Sequence, residues 1–354
     1  MKAVVFDRTG GPEVLEYRDV PDPACGPDEA VVSVRACGIN HLDLWVRRGL
    51  SGIRPQMPHI LGNDIVGTIA AVGAHVREWR EGDAVLVLPT LSCGTCEACT
   101  NGDDNLCREY DVLGRARNGG YAERVAVPAV NLLPYPSNLE WHEAAAVPLV
   151  FLTAWHMLVG RAQLRAGEDV LIIGAGSGVG SAAIQIARLI GARVIATAGT
   201  AAKLERARAL GAHETIDHAT EDLAARAREL TGKKGVDVVI EHVGGAVFER
   251  GVAALAKNGR LVTCGATIGA KVTLDVNLLF GRHLTLMGSW MGRRDELSAV
   301  LEHVRSGALK PVVDQVLPLA QARQAHERIE AREQFGKIVL VPRDEDLPSG
   351  EARR

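Results

Sequence analysis

A strand followed at once by a glycine-rich turn and a helix constrains the fold of this chain more than any other feature. The apolar run Asp169–Ile173 leads into Gly174-Ala175-Gly176-Ser177-Gly178-Val179-Gly180, and residues 179–190 carry apolar side chains at helical spacing. Glycines at such a turn allow a tight reversal and a close approach of a pyrophosphate. The helix N-terminus adds free N–H groups and a positive dipole end. The motif predicts a dinucleotide-binding unit, rather than a turn that uses glycine for geometry alone.

Strands and helices alternate around this motif. Strand-like runs follow at Arg193–Thr197, Val236–Ile240, Arg260–Thr263 and His283–Met287, with helical segments at Ala201–Leu210 and Asp295–Ser306. This alternation predicts an α/β fold with a doubly wound parallel sheet over residues 135–307. A chain of 354 residues exceeds a comfortable single core. The β-rich residues 1–134 are therefore predicted to form a second domain, which strands in residues 308–354 complete.

The charge and hydropathy of the chain limit the classes of partner that it can bind. The chain has 40 basic and 43 acidic residues, a formal charge of −3, so it offers no general attraction for nucleic acid or an anionic membrane. The longest uncharged run, Val170–Ala187, contains four glycines and fits a buried strand and turn better than a membrane span. The first residues do not read as a secretory signal. We therefore expect a cytoplasmic protein with neither a membrane nor a nucleic-acid partner.

Four of the seven cysteines lie within fifteen positions, as Cys93-x2-Cys96-x2-Cys99-x7-Cys107. This spacing lets one loop surround an ion with four thiolates and leaves no open position for a substrate. Without an export signal, a metal is favoured over disulfides. An iron–sulfur centre is the competing interpretation, but nothing else in the sequence indicates electron transfer. The motif predicts one structural zinc ion per chain.

The end of the second predicted strand bears on the nicotinamide cofactor. NAD sites usually carry an acidic residue there, which binds the ribose hydroxyls. Here the strand is followed by Ala198-Gly199-Thr200-Ala201-Ala202-Lys203, with no acid before Glu205. A small, uncharged corner near a lysine can accept a 2′-phosphate, so NADP(H) is preferred over NAD(H). The alternative is that Lys203 is an ordinary solvated helix residue.

Together, the N-terminal β domain, the four-cysteine loop and the Gly178-Val179-Gly180 turn resemble the zinc-type alcohol dehydrogenases and quinone reductases of the medium-chain dehydrogenase/reductase superfamily. The resemblance extends from Met1-Lys2-Ala3-Val4 to Gly336-Lys337-Ile338-Val339-Leu340. It implies a GroES-like domain, completed by C-terminal strands, and a Rossmann domain. It also implies a homodimer or homotetramer. The cofactor contacts that it implies are Gly176, Ser177, Gly178, Val179, Gly180, Thr200, Lys203, Val243, Gly244, Gly265, Ala266, Ser289 and Lys337.

The sequence departs from the alcohol dehydrogenases where those enzymes bind a second, catalytic zinc. The family's cysteine after a Gly-Ile pair is replaced by Asn40, and the histidine of its Gly-His-Glu motif by Asn63. The family's third ligand, a cysteine or an acid four residues before a threonine, is replaced by Leu149, which lies four residues before Thr153. Amide and isobutyl groups do not replace these ligands, so the catalytic zinc is predicted to be absent. His41, Asp43, His59 and Asp64 leave open a remodelled metal site, although hydrogen bonds that shape the cleft are the favoured interpretation.

These departures resemble the zinc-free quinone reductases and imply hydride transfer from NADPH to a quinone or an α,β-unsaturated carbonyl. Such an acceptor is already electrophilic, so hydrogen-bond donors and water suffice. The candidate catalytic residues are Asn40, His41, Asp43 and Asp64, with His41 as the best proton donor, although a structural role for each is equally compatible with the sequence. Two alternatives stay open: an alcohol dehydrogenase with an atypical metal site, and a non-catalytic NADPH-binding sensor.

Overall fold

The computed structural model describes residues 1–50, 55–115 and 117–348. The strands are β1 Lys2–Phe6, β2 Glu16–Asp19, β3 Glu29–Gly38, β4 His59–Ile60, β5 Asp64–Val72, β6 Ala84–Val87, β7 Thr90–Leu91, β8 Asp111–Val112, β9 Arg124–Pro128, β10 Leu132–Pro134, β11 Asp169–Ile172, β12 Arg193–Ala198, β13 Glu214–Asp217, β14 Val236–Glu241, β15 Leu255–Thr263, β16 Thr285–Gly288, β17 Val313–Pro318 and β18 Lys337–Val341. The α-helices are α1 His41–Arg48, α2 Glu97–Thr100, α3 Trp141–Ala144, α4 Pro148–Trp155, α5 Gly178–Ile190, α6 Ala201–Ala209, α7 Leu223–Leu230, α8 Gly245–Ala254, α9 Val276–Gly281, α10 Arg294–Arg305 and α11 Ala322–Glu330.

The chain forms two compact units. The first comprises Met1–Leu149, Arg293–Arg305 and the residues from Pro311 onward, and the second comprises Val150–Gly292 and Ser306–Lys310. The second unit holds a six-stranded parallel sheet in the order β13-β12-β11-β14-β15-β16. This order places β11 at the centre, with the chain winding outward in both directions, as in dinucleotide-binding sheets. The doubly wound parallel sheet predicted from the alternating pattern is confirmed, with β13 as a strand that the pattern did not reveal.

The first unit is built on an antiparallel sheet in which β3 is the central strand. β3 pairs with β5 along most of its length, and it also pairs with β9 and with β18. β18 in turn pairs with β17 in parallel. Both C-terminal strands therefore belong to the N-terminal unit, as the sequence predicted. Apolar side chains of β3 and β5, such as Val32, Val34 and Ile65, are fully buried in the core of this unit.

The boundaries of the units differ from the predicted limits of 134/135 and 307/308. Residues 135–149 belong to the first unit because α3 packs against β3, β5, β17 and β18. α10 also belongs to the first unit: the Arg294 N–H donates to Asp104, and the Asn138 amide donates to the Val304 carbonyl. The change from β-rich to alternating sequence near residue 140 therefore lies about one helix before the boundary between the two units at Leu149.

One helical stretch in the described part of the chain, Trp141–Arg161, has the length and apolar composition of a membrane-crossing helix. The most apolar part of this stretch is 78% buried inside the protein. A core helix of a folded protein has the same properties, so the stretch is weak evidence for a membrane span.

Candidate functional site

The glycine-rich turn joins β11 to α5 with the geometry that the motif predicted. Gly174 has φ +77°, a left-handed conformation that glycine adopts without strain. A Cβ on Gly180 would lie 2.3 Å from the Gly174 carbonyl oxygen, so a larger residue would push the helix off the strand. Ser177 caps α5, because its hydroxyl accepts a hydrogen bond from the Gly180 N–H at 2.8 Å. The free N–H groups of the first turn can therefore receive an anion.

A second turn at the same edge of the sheet is held by Glu241, which the sequence interpretation missed. This carboxylate is fully buried at the end of β14 and accepts hydrogen bonds from the N–H groups of Val243 and Gly244, the latter at 2.7 Å. The Thr263 hydroxyl donates to its other oxygen at 3.0 Å. Burial raises the pKa of Glu241, and the N–H donors oppose that rise. Glu241 therefore ties the ends of β14 and β15 together.

The predicted cofactor residues of the second unit all follow the carboxyl ends of its parallel strands. Gly176 to Gly180 follow β11, Thr200 and Lys203 follow β12, and the Val243–Gly244 turn follows β14. Gly265 and Ala266 follow β15, and Ser289 follows β16. Ligands of such sheets bind at this edge. The Ser289 hydroxyl is buried there without a hydrogen-bond partner in the described structure, so the edge offers an unused polar group to a bound nicotinamide dinucleotide.

Lys337, the remaining predicted cofactor residue, lies in the first unit and is only 3% exposed. Its ammonium donates to the Ile39 carbonyl oxygen at 2.6 Å, to Asn40 Oδ1 at 2.6 Å and to Asp64 Oδ2 at 2.8 Å. An ammonium has three donors, and all three are used. A phosphate contact by Lys337 would require breaking one of these buried bonds, so the structure does not support the predicted role.

Lys337 belongs to a buried hydrogen-bonded cluster with Asn40, Asn63 and Asp64, which we call the Lys337 box. Asn40 and Asp64 are two of the predicted catalytic residues. The Asn40 amide donates to Asn63 Oδ1 at 2.6 Å and to Asp64 Oδ2 at 2.7 Å. Asp64 Oδ1 accepts the Leu149 N–H at 2.7 Å. Asn63 and Asp64 are fully buried, and Asn40 is 5% exposed. These contacts support the interpretation in which the polar residues shape the site through hydrogen bonds.

Asp43 is also fully buried and binds the start of α1 to neighbouring loops. Its Oδ2 accepts the Asn40 N–H at 2.8 Å and the Tyr121 hydroxyl at 3.0 Å. Its Oδ1 accepts the Gly62 N–H at 3.2 Å and the Asn63 amide at 3.3 Å. Burial raises the pKa of Asp43 to about 6, although these donors favour the ionised form. With four donors in place, Asp43 acts as a positioning residue.

The hydrogen-bond chain continues from Asp43 through residues that no sequence motif singled out. Tyr121 contacts His326 Nε2 at 3.2 Å, and Arg47 contacts His326 Nδ1 at 2.9 Å. A guanidinium only donates, so Nδ1 accepts, Nε2–H donates to Tyr121, and the Tyr121 hydroxyl donates to Asp43. Burial and Arg47 hold the pKa of His326 well below its usual value, which keeps the ring neutral. Arg47 also pairs with Glu330.

His41, the predicted proton donor, begins α1 and is partly exposed. Its ring packs edge-on against Trp45, with ring centroids 5.4 Å apart. Burial, with a smaller contribution from Arg48, lowers the pKa of His41 to about 4. At neutral pH the imidazole ring is therefore uncharged. It can donate one N–H hydrogen bond, but it is not an imidazolium that could release a proton to a substrate.

The four predicted metal ligands converge. The Sγ atoms of Cys93, Cys96, Cys99 and Cys107 all lie within 4.8 Å of one another, with pairs at 3.5 Å, 3.6 Å and 3.9 Å. Tetrahedral zinc with Zn–S bonds of about 2.3 Å requires sulfur atoms about 3.8 Å apart, so the cluster fits that ion. In the described residues, this is the one group of His, Cys, Asp and Glu side chains close enough to hold a metal.

Backbone donors support these sulfur atoms. The Cys93 N–H and the Glu109 N–H both lie within hydrogen-bond reach of Cys107 Sγ, at 3.4 Å and 3.3 Å. The Cys96 N–H lies 3.4 Å from Cys93 Sγ. The N–H groups of Thr95 and Cys96 lower the pKa of Cys93 to about 6, whereas burial raises the pKa of Cys99 to about 12. Backbone donors therefore favour the thiolate at Cys93, and a bound cation would have to favour it at Cys99.

Comparisons with known proteins cover both units. The alcohol dehydrogenase GroES-like domain matches residues 26–137, and the zinc-binding dehydrogenase domain matches residues 178–306. A quinone oxidoreductase of Sus scrofa is 30% identical over 347 residues, which cover 96% of this chain and 98% of that protein. An NAD-dependent alcohol dehydrogenase of Sulfolobus acidocaldarius is 33% identical over 348 residues, covering 96% of this chain and 99% of that protein.

A solved structure described as an NAD-dependent alcohol dehydrogenase is 50% identical and covers 96% of this chain and 99% of that chain, with a TM-score of 0.93. These matches confirm the predicted combination of a GroES-like domain with a Rossmann domain. They also confirm the predicted family. The chain therefore belongs to the medium-chain dehydrogenase/reductase superfamily and is an oxidoreductase.

Proposed function

We propose that this oxidoreductase reduces a quinone or an α,β-unsaturated carbonyl compound and that its zinc is structural only. The observation that carries this proposal is the Lys337 box. Asn40 and Asn63 stand where the family resemblance places two catalytic zinc ligands, and the Lys337 ammonium contacts Asn40 and the adjacent Asp64 at 2.6 Å and 2.8 Å. A divalent cation would be repelled by that ammonium, and amides are poor zinc ligands.

The chemistry of the acceptor follows from this arrangement. Without a Lewis acid at the substrate oxygen, a quinone or enone is favoured because it is already electrophilic. When bound, the reduced nicotinamide supplies the hydride. His41 offers a neutral N–H that can polarise the acceptor oxygen, and water supplies the proton. Asn40, Asp43 and Asp64 hold the backbone around His41 in place, rather than contacting the acceptor.

An alcohol dehydrogenase is the second candidate, because the 50% identical structure carries that description. Metal analysis of the purified protein separates the two. One zinc per chain supports our proposal, whereas two per chain, with alcohol oxidation lost when the second is removed, would establish the alternative. A panel of quinones, enones, aldehydes and alcohols then identifies the substrate class. Dinucleotide binding without turnover of any of these compounds would favour a sensor.

We also propose that NADPH is preferred over NADH, since Thr200 and Lys203 follow β12 and the sequence carries no acidic residue between Ala198 and Glu205. The NAD-dependent relatives count against this preference, so a direct test is needed. Lys203→Ala is expected to raise the Kd for NADPH about tenfold, the loss of one charge-assisted hydrogen bond, with little effect on NADH. Lys271→Ala, at an exposed lysine that does not follow β12, is the control. Equal effects of Lys203→Ala on both cofactors would contradict the preference.

The low pKa of His41 predicts an acid-dependent loss of stability. The unfolded chain binds a proton near pH 6.5, whereas the folded state binds it only near pH 4. Stability is therefore lost as the pH falls from 6.5 towards 4, by at most ~3 kcal/mol from this residue. His41→Asn should unfold with a shallower dependence over this range in urea titrations. An unchanged dependence would show that His41 does not titrate with the expected shift.

We further propose that the protein is a homo-oligomer. β16 is an edge strand of the six-stranded sheet, and an edge leaves N–H and C=O groups ready to pair with a second copy. The helix that precedes β16, α9, exposes apolar side chains: Val276 is 60% exposed and Phe280 is 65% exposed. Light scattering should give a multiple of the chain mass, and Phe280→Asp should lower it. A monomeric wild-type protein would refute this proposal.

A further inference from the structure

The six-stranded sheet has a ligand-sized cavity at the edge opposite the glycine-rich turn. Its volume is about 720 Å³, and it is lined by residues at the starts of three adjacent strands: Asp169 of β11, Asp237 of β14 and Leu255 of β15. Cavities of this size hold small molecules. The dinucleotide edge lies at the other ends of the same strands, so this cavity is separate from the proposed cofactor site.

Five cationic side chains line the cavity: Arg228, Lys233, Lys234, Lys257 and Arg282. Throughout the described residues, none of the five forms an ion pair with a carboxylate. Two acidic residues share the lining, but both are engaged: Asp169 pairs with Arg193 at 3.2 Å, and Asp237 accepts the Asp169 N–H at 2.8 Å. The lining carries five positive and two negative charges, on a chain whose formal charge is −3.

The two guanidinium groups are held side by side. Arg228 donates to the carbonyl oxygens of Ala253 and Leu255 at 2.7 Å and 3.2 Å, and Arg282 donates to the same two oxygens at 3.4 Å and 3.3 Å. Burial and the neighbouring Arg282 lower the pKa of Arg228, which records the repulsion between the two cations. Like charges fixed this close are unfavourable unless an anion offsets them.

We propose that this cavity binds an anion carrying at least two phosphate groups. Arginine pairs bind phosphate through planar, two-pronged contacts, and lysines add point charges around it. One phosphate group is satisfied by two or three cations, whereas five cations spread around 720 Å³ match a diphosphate or a longer chain. Free pyrophosphate and a nucleoside diphosphate share this chemistry, and titrations with each distinguish the two sources.

The test is a titration of the full-length protein with pyrophosphate by calorimetry at low salt. The test variant, Lys234→Gln/Lys257→Gln, removes two exposed charges that form no side-chain hydrogen bond or ion pair within the described structure. Its control, Arg250→Gln/Lys271→Gln, removes two exposed charges of the same unit that do not line the cavity. We expect the test variant to weaken pyrophosphate binding at least about tenfold, and the control to change it less than twofold.

Two further titrations identify the anion. Inorganic phosphate should bind more weakly than pyrophosphate, and ADP should bind more tightly only if the cavity also contacts a nucleoside. Equal effects of the two double variants would overturn the proposal, because the anion would then bind elsewhere, for example at the dinucleotide edge. Absence of pyrophosphate binding by the wild-type protein at millimolar concentrations, or equal affinity for phosphate and pyrophosphate, would overturn it as well.

Discussion

Replacing Lys337 with methionine is expected to lower the free energy of unfolding by about 3–5 kcal/mol, because it leaves the buried Asp64 carboxylate without its cationic partner. Methionine fills a similar volume, so the loss reports charge rather than a cavity. The Ile39 carbonyl and the Asn40 side chain also lose a donor. Urea unfolding at neutral pH measures the effect.

Two further variants serve as controls for Lys337→Met. Lys271→Met, at an exposed lysine, should change stability by no more than about 0.5 kcal/mol. Lys337→Met combined with Asp64→Asn should recover part of the loss, since both charges are then removed. If Lys337→Met were no more harmful than Lys271→Met, the ammonium would not be the cation that holds this box. The argument against a catalytic zinc would then rest only on the poor affinity of the Asn40 and Asn63 amides for zinc.

Loss of the metal through Cys96→Ser is the second large effect. Structural zinc sites in small peptides contribute about 10–16 kcal/mol of binding free energy, part of which stabilises the fold, so we expect a loss of at least ~3 kcal/mol. The zinc content should fall from one ion per chain to almost none. The Kd for the dinucleotide should stay within twofold of the wild-type value, because the glycine-rich turn belongs to the other compact unit.

Cys25→Ser is the matched control, since Cys25 is an exposed cysteine outside the cluster. It should retain zinc and stability. A folded Cys96→Ser protein with strongly weakened dinucleotide binding would contradict a purely structural role for the metal. Iron and acid-labile sulfide in the wild-type protein would instead establish the iron–sulfur alternative.

The features that the sequence predicted well are local. The glycine-rich turn and the cysteine loop each lie within about fifteen residues, so their spacing alone limits the geometry. The parallel sheet follows from a repeated pattern of apolar strands and amphipathic helices. The return of β17 and β18 to the first unit was predicted from their separation from that pattern. In each case a short stretch of sequence contains most of the relevant information.

The features that could not be predicted depend on contacts between distant residues. Lys337 and Asn40 are separated by 297 positions, and nothing in either local sequence indicates that they meet. The resemblance suggested a cofactor contact for Lys337, whereas the fold uses its charge to neutralise Asp64. Glu241 ends a run of buried apolar residues, where an acidic side chain looks like a strand boundary. Its hydrogen bonds to the next turn become visible only when β14 and β15 are placed side by side.

The pairing of β18 with β3 has a consequence for how the chain is made. During synthesis the N-terminal domain emerges first, yet its central sheet lacks β18 until residues 337–341 leave the ribosome. The Rossmann domain, whose residues lie within one continuous stretch apart from a short segment at 306–310, can assemble earlier. The Lys337 side chain arrives with β18. Until then Asp64 has no cation beside it, so the domain that begins first is the one completed last.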